Sequence, residues 1–396
     1  MQHPPINANK GFNRLKKGAQ RLINANRMLK DKRSQKFHVG EAPGIDFSRT
    51  PNSLFAHLNE TLRCDVTVNV IDYGPNDAMV HPAFTNCAVE DFFNQPRPPL
   101  PVRWVNVVGI DFEVVRSLSQ KFGLHPLSVE DLMHYPQRIK ADFYERHVFV
   151  STQLVALEEL AQPASLSSSS NAAATLHDLP GGTSPQDNSI FHTPIGRGLL
   201  ETIKRPKRAS RHFDLKSERS ATTGELRLRR VFAEQVFIFL FKDGTVISFF
   251  QQEGSLVTYP ITTRLQTPQT LVRDSDASFL LFCLLDAIVD HALPIVDAYS
   301  ESIYKIESLV LTKAKAQYTM ELHLLSAELK LLKRTFMPTL HLVQALKRST
   351  TEFLSKLTLE YMNDITDHIM SSVENLELLS TQSKDLVDLV CFFSLF

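Results

Sequence analysis

The stretch VFIFLFKDGTVISFFQ, residues 236–251, identifies a buried β-sheet in this chain. β-Branched and aromatic residues fill both of its halves, which is typical of strands. Between the halves lies Lys242-Asp243-Gly244, and an Asp-Gly pair between two such runs favours a tight hairpin turn. The stretch therefore predicts two paired strands, Val236–Phe241 and Thr245–Gln251.

Further strands and helices surround this pair in the first two thirds of the chain. Apolar residues that alternate with polar ones predict strands at Cys64–Ile71 and Val102–Val108, and β-branched and aromatic residues predict a third at His147–Val155. Between them, Asp111–Phe122 and Ser128–His134 have helical patterns. This mixture predicts an α/β sandwich with a long insertion in its middle.

After Asp274 the apolar pattern becomes purely helical. Two sets of apolar residues recur at steps of three and four, from Phe279 to Val289 and from Leu322 to Phe336, and we expect Pro338 to end the second. The longest set lies between Thr350 and Phe396, without Gly or Pro, and predicts a helix of about 60 Å. A small domain cannot cover such a helix, so we expect it to self-associate.

Composition and charge divide the chain into regions. Of its 396 residues 43% are apolar, and 43 Lys+Arg balance 43 Asp+Glu, so the net charge indicates no class of partner. Basic residues concentrate in 1–36 and 197–230, which are either solvated chain or contacts with anionic lipid or nucleic acid. Sparse aromatic residues there argue against a groove for single-stranded nucleic acid. Residues 160–224 have no periodic apolar pattern and predict a disordered insertion.

Several classes of protein are excluded. The four cysteines form no C-x-x-C pair, which argues against a disulfide-built secreted scaffold and against a zinc site. No phosphate-binding loop, nucleophile elbow or H-E-x-x-H motif is present, so we expect no enzyme. Asp286, Asp290 and His291 interrupt the apolar run from Phe279, so we expect no complete membrane span.

Three groups of polar residues are candidates for binding a divalent cation. Each also has a structural explanation: capping of a helix that begins at Ser128 for the first group, and solvent exposure for the other two. Mg²⁺ takes oxygen ligands and binds through one or two carboxylates, so single carboxylates from different elements would hold it weakly. The groups are Glu130 with Asp131, Asp286 with Asp290, and Asp364 and Asp367 with His368.

Several motifs follow one another in a specific order along the chain. They are WVNV at 104–107, FGLHPLSVED at 122–131, QRIK at 137–140, LLDAIVD at 284–290, Leu329–Pro338 and Tyr361–His368. In this order they resemble the CorA family of magnesium and cobalt transporters, and the similarity covers roughly residues 60–160 and 230–390.

This resemblance implies an α+β fold. An α/β/α sandwich would form a funnel domain, and an all-helical hairpin and a long stalk helix would follow it. The implied regions are a basic tail at 1–59, the funnel domain at 60–159 and 225–275, the insertion at 160–224, the hairpin at 276–348 and the stalk at 349–396.

The resemblance also implies a function. The chain would be the cytosolic, metal-sensing and gating part of a magnesium transporter subunit that forms a homopentamer in a membrane. Regulatory Mg²⁺, or Co²⁺ as the alternative ion, would bind between Asp131 and Asp364 of a neighbouring subunit. Glu130 and Asp286 would form a second, weaker pair, and Asp388 would lie near the pore mouth.

The sequence departs from the family pattern at its end. It stops at Phe396, before either transmembrane helix, and lacks the Gly-Met-Asn signature that follows the family's first span. We therefore expect an incomplete or alternatively spliced product that conducts no ions alone and is soluble by itself. Two alternatives remain open: a soluble regulator that assembles with full-length subunits, and a basic nucleic-acid-binding protein.

Overall fold

The structure, a computed structural model, describes residues 44–47, 62–158, 230–252, 254–312, 315–348 and 353–393. The predicted insertion at 160–224 lies outside the described residues, as does the predicted basic tail apart from 44–47.

A mixed sheet forms the centre of the fold. Its strands are β1 (Thr67–Tyr73), β2 (Ala78–Val80), β3 (Phe84–Thr85), β4 (Val102–Val108), β5 (Lys140–Phe143), β6 (His147–Glu158), β7 (Arg230–Phe241) and β8 (Thr245–Phe250). They lie in the order β2-β1-β4-β8-β7-β6-β5, with β3 also paired to β1. Only β4 and β8 run parallel; the other described pairs are antiparallel. The predicted hairpin is β7–β8, with Val236 opposite Phe250.

Helices lie between the strands of the sheet and after its last strand. In the described chain they are α1 (Val89–Asn94), α2 (Phe112–Phe122), α3 (Pro126–Met133), α4 (Ser255–Gln266), α5 (Leu271–Asp274), α6 (Ala277–Asp290), α7 (Leu293–Thr312), α8 (Ala316–Arg348) and α9 (Lys356–Phe393).

The sheet buries side chains on both of its faces, because successive residues of a strand point to opposite sides. One face carries Val105 and packs against α2 and α3, where Leu118 and Leu132 are fully buried. The other face carries Trp104 and packs against α4 and α6–α9, including Leu284. The expected α+β fold, with an α/β/α sandwich, is confirmed.

The two longest helices form an antiparallel pair. α9 has 38 residues, which corresponds to about 57 Å. Ser326 Oγ lies 2.8 Å from Ser383 Oγ, and nearer the turn Lys347 Nζ donates to Asn363 Oδ1 at 2.5 Å. Residues later in α8 therefore contact residues earlier in α9, which shows that the two helices are antiparallel.

The expectation that Pro338 ends a helix is wrong, because α8 continues to Arg348. Proline inside a helix removes one hydrogen bond and costs about 3 kcal/mol. Beyond the proline, α8 packs in the core and buries the side chains of Leu342, Val343 and Leu346. Burying several such side chains contributes more than the proline costs.

One described helical stretch, Ala277–Thr312, is long and apolar enough to cross a membrane by length and composition alone. By this measure Asp286, Asp290 and His291 do not by themselves exclude a span. However, 67% of the most apolar window is buried inside the fold, and core helices of soluble domains pass the same test. Its apolar side chains, such as Leu280 and Leu284, pack on the sheet.

A buried ion pair joins β1 to β4 near one edge of the sheet. Asp72 is fully buried and accepts hydrogen bonds from Arg103 Nε at 2.7 Å and Arg103 Nη2 at 2.8 Å. His81 Nε2 lies 2.8 Å from the same carboxylate. The guanidinium of Arg103 is itself almost fully enclosed, so its charge depends on Asp72.

We expect Asp72→Asn to lower the free energy of unfolding by about 3 kcal/mol, because it leaves a buried guanidinium without a counter-charge. Urea-induced unfolding of the variant and the parent chain measures this difference. Asp77→Asn is the matched control, since Asp77 is exposed and its change should cost less than about 0.5 kcal/mol. Equal losses in the two variants would contradict this account of the pair.

Candidate metal centre

Two helices bring a group of metal-ligating side chains together. The ligand atoms of Asp286, Asp290 and His368 all lie within 4.8 Å of one another. His368 Nδ1 is 3.7 Å from Asp290 Oδ1, and His368 Nε2 is 3.8 Å from Asp364 Oδ1. We call Asp286, Asp290, Asp364 and His368 the α6–α9 cluster.

Helical spacing and packing explain the cluster. Asp286 and Asp290 are four residues apart on α6, and Asp364 and His368 are four residues apart on α9, so each pair shares one face of its helix. Apolar contacts hold the two helices together, with Phe282 packed on Tyr361 at 5.4 Å between ring centres.

Hydrogen bonds near the N-terminus of each helix fix the register of α6 against α9. Ser278 Oγ lies 2.7 Å from Thr358 Oγ1, and both side chains are buried. The Ser355 backbone N–H also donates to Ser278 Oγ, at 3.1 Å. The register that these bonds set places the acidic pair of α6 beside the Asp364–His368 pair of α9.

The cluster carries more negative than positive charge. The pKa of Asp286 is raised to about 6, chiefly because burial disfavours its charged form. The charges of Asp290 and Asp364 act in the same direction, while His368 and Arg264 oppose the shift. His368 Nδ1 is enclosed and has no hydrogen-bond partner in the described chain.

These residues fit a divalent cation. Two carboxylates can hold a hydrated Mg²⁺, which keeps several of its waters. An imidazole nitrogen beside carboxylate oxygens also suits first-row transition ions such as Co²⁺. A bound cation would relieve the repulsion among the carboxylates and give His368 Nδ1 a partner.

Two of the other predicted ligands, Glu130 and Asp131, lie on the opposite face of the sheet, on α3. Asp131 Oδ2 is 2.6 Å from Lys140 Nζ, and Glu130 Oε2 accepts a hydrogen bond from the Gly44 backbone N–H at 2.7 Å. Within the described part of the chain, Glu130 and Asp286 make no contact, so the weaker pair is not formed inside one chain.

The capping explanation for Asp131 is wrong. The helix begins at Pro126 rather than at Ser128, and the N-cap is His125, whose Nδ1 accepts from the Leu127 backbone N–H at 3.3 Å. Proline is well suited to the first helical position, because it has no N–H to satisfy there. Asp131 therefore lies well beyond the unpaired N–H groups of the first turn.

Asp388 stands apart from both groups. It is exposed on α9, 24 residues after Asp364, or about 36 Å along the helix. Asp367 is also exposed and is not among the clustered ligands. Asp290 and His368 belong to the candidate groups of the sequence, but the family resemblance assigns neither of them a ligand role. The Asp-x-x-x-Asp and Asp-x-x-x-His spacings on two helices are the sequence signal that singles them out.

Comparisons with known sequences agree with the resemblance described above. A family model described as "CorA-like Mg2+ transporter protein" matches residues 222–391. The cobalt/magnesium transport protein CorA of Thermotoga maritima is 22% identical over 286 residues, covering 72% of this chain. The match covers 62% of that relative, which is less than two thirds of its length. Both descriptions name transporters rather than enzymes, in agreement with the absence of catalytic motifs.

Solved structures share the fold. The complete CorA magnesium transporter of Methanocaldococcus jannaschii aligns with a TM-score of 0.53 at 10% identity, covering 83% of this chain and 77% of that one. The soluble domain of CorA from the same organism gives 0.51 at 12% identity, with coverages of 81% and 95%. The full-length CmaX protein gives 0.52 at 13% identity, with coverages of 81% and 74%.

The raised pKa of Asp286 leads to a pH-dependent prediction. Without metal, Asp286→Asn should raise the free energy of unfolding at about pH 8 by about 1 kcal/mol, allowing for solvent screening at this partly exposed site. The gain should shrink as the pH falls through about 6 and vanish below about 4, where the carboxyl group is protonated in both the folded and the unfolded chain.

Urea-induced unfolding with a chelator, repeated at several pH values, measures this gain. Asp367→Asn removes an exposed carboxylate of α9 and should show no such pH dependence. A gain for Asp286→Asn that is constant across the pH range would contradict the assignment.

Proposed function

We propose that this chain, which is a CorA-family protein, is the metal-sensing and gating part of a divalent-cation transporter subunit that acts at the cytosolic face of a membrane. Copies of the chain would assemble into a homo-oligomer, a pentamer by the family pattern. Regulatory Mg²⁺, with Co²⁺ as the alternative ion, would bind between neighbouring copies.

The observation that carries the proposal is the separation of the two carboxylate groups by the sheet. Glu130 and Asp131 lie on the α3 side, whereas the α6–α9 cluster lies on the other side. An ion that needs ligands from both groups must therefore lie between two copies. This geometry supports the pairing of Asp131 with Asp364 of a neighbour.

Electrostatics supply the sensing mechanism. Glu130, Asp131 and the α6–α9 cluster include more carboxylates than cationic side chains, so two copies that bring Asp131 and Asp364 close together repel each other without metal. A hydrated Mg²⁺ between the carboxylates reverses the sign of that interaction. Assembly therefore becomes tighter as the concentration of Mg²⁺ rises.

The surface of α9 supports assembly through the same region. Tyr361, one turn before the cluster, is 39% exposed, and Leu378 is 64% exposed. Near the end of the helix, Phe392 is 56% exposed. These exposed apolar side chains recur along the length of α9, the helix that the proposal places at the contact with a neighbouring copy.

Sedimentation of the 396-residue chain in chelator and in millimolar Mg²⁺ tests the proposal. We expect larger species in Mg²⁺, and we expect Asp131→Asn or Asp364→Asn to raise the Mg²⁺ concentration at the midpoint. The loss of one charge about 4 Å from a divalent ion costs about 2 kcal/mol in water, or roughly thirtyfold in concentration.

Asp367→Asn provides the control, because it removes an exposed carboxylate on the same helix that is not among the clustered ligands. Its midpoint should match that of the parent chain. Identical sedimentation of the parent chain in chelator and in Mg²⁺ would overturn the proposal.

A further inference from the structure

Asp131 already has a cation beside it in the single chain. Lys140 Nζ lies 2.6 Å from Asp131 Oδ2 and also 2.6 Å from Asp142 Oδ2. One ammonium group is therefore shared by two carboxylates. The Lys140 and Asp131 side chains are each 20% exposed, so a metal ion from solvent can reach the pair.

The edge strand β5 builds this arrangement. β5 pairs with β6, and alternate side chains point to opposite sides of the sheet. Ala141 and Phe143 pack toward the α6–α9 side, which leaves Lys140 and Asp142 on the side of α3. The ammonium group also lies 5.9 Å from the centre of the Phe149 ring.

The lysine remains charged in this position. Burial alone would lower the pKa of Lys140, but hydrogen bonds to Asp131 and Asp142 outweigh burial and raise it. A metal ion that approaches Asp131 therefore meets the positively charged ammonium group of Lys140, which lies 2.6 Å from the carboxylate that the ion needs.

We propose that Lys140 is the resident cation of Asp131 and sets the metal concentration at which that carboxylate becomes a ligand. The inference rests on the proposed metal-sensing function. When a metal ion binds Asp131, the ammonium moves from that carboxylate and stays paired with Asp142. Asp142 thus gives Lys140 an alternative partner, so the exchange leaves no charge unpaired.

Substitutions of Lys140 and of Asp142 should shift the Mg²⁺ midpoint of assembly in opposite directions. Lys140→Gln removes the competing cation, so the Mg²⁺ midpoint of assembly should fall by about two- to fivefold, the range given by partly exposed ion pairs. Asp142→Asn leaves Lys140 with Asp131 as its sole carboxylate, so the midpoint should rise. Lys140→Arg keeps a cation in place and should stay near the parent value.

The experiment is the Mg²⁺ titration of sedimentation with these variants of the full chain. Arg138→Gln is the matched control, because it removes a positive charge from an exposed residue two positions away. Thermal unfolding of each variant without metal checks that the fold is kept, and Lys140→Arg supplies a second variant that preserves the pair.

The outcomes separate the two proposals. A parent chain without any Mg²⁺ response overturns the metal-sensing function and this inference with it. A responding parent chain overturns the inference alone if Lys140→Gln moves the midpoint no further than Arg138→Gln does. A lower midpoint for Lys140→Gln, with a higher one for Asp142→Asn, supports the exchange.

Discussion

The central sheet separates the charged groups on which the proposed function depends. Its two faces are both buried, so α3 packs on one side and α6 and α9 pack on the other. Carboxylates on the two sides cannot share an ion within one chain, however flexible their side chains are. The same constraint makes them suitable for sharing an ion between chains, because each copy presents one group on each side of its sheet.

The negative charge of the two carboxylate groups is offset within the chain to different extents. On the α3 side the negative charges have partners, since Lys140 contacts Asp131 and the Gly44 N–H contacts Glu130. In the α6–α9 cluster the balance is incomplete: burial chiefly raises the pKa of Asp286, and the negative charges of Asp290 and Asp364 add to the shift. A bound metal ion would therefore stabilise the α6–α9 cluster more. On the α3 side, the ammonium group of Lys140 must first move away from Asp131.

Much of the fold could be predicted from local pattern, and much of the site could not. The strand at Val102–Val108 has the predicted limits, because its alternation is set by residues that are neighbours in sequence. Helix α3 begins at Pro126 rather than Ser128, since a proline at the first position replaced the expected cap. The continuation of α8 past Pro338 depends on tertiary burial, which local propensity does not contain. The nearness of His368 to Asp290 links residues far apart in sequence, so the spacing on each helix suggested ligands but not their meeting.

Cross-linking between two variants tests the central claim most directly. In a chain whose exposed Cys64, Cys87 and Cys391 are replaced by serine, Leu127→Cys and Glu360→Cys are made separately, mixed in millimolar Mg²⁺, and treated with a short bis-maleimide. Both residues are exposed and lie one helical turn before Asp131 and Asp364, so the two proposed ligands keep their carboxylates. The account predicts cross-linked dimers in the mixture and far fewer in either variant alone, because residue 131 of one copy faces residue 364 of the next. A mixture without cross-linked dimers, or equal cross-linking within each variant alone, would contradict it.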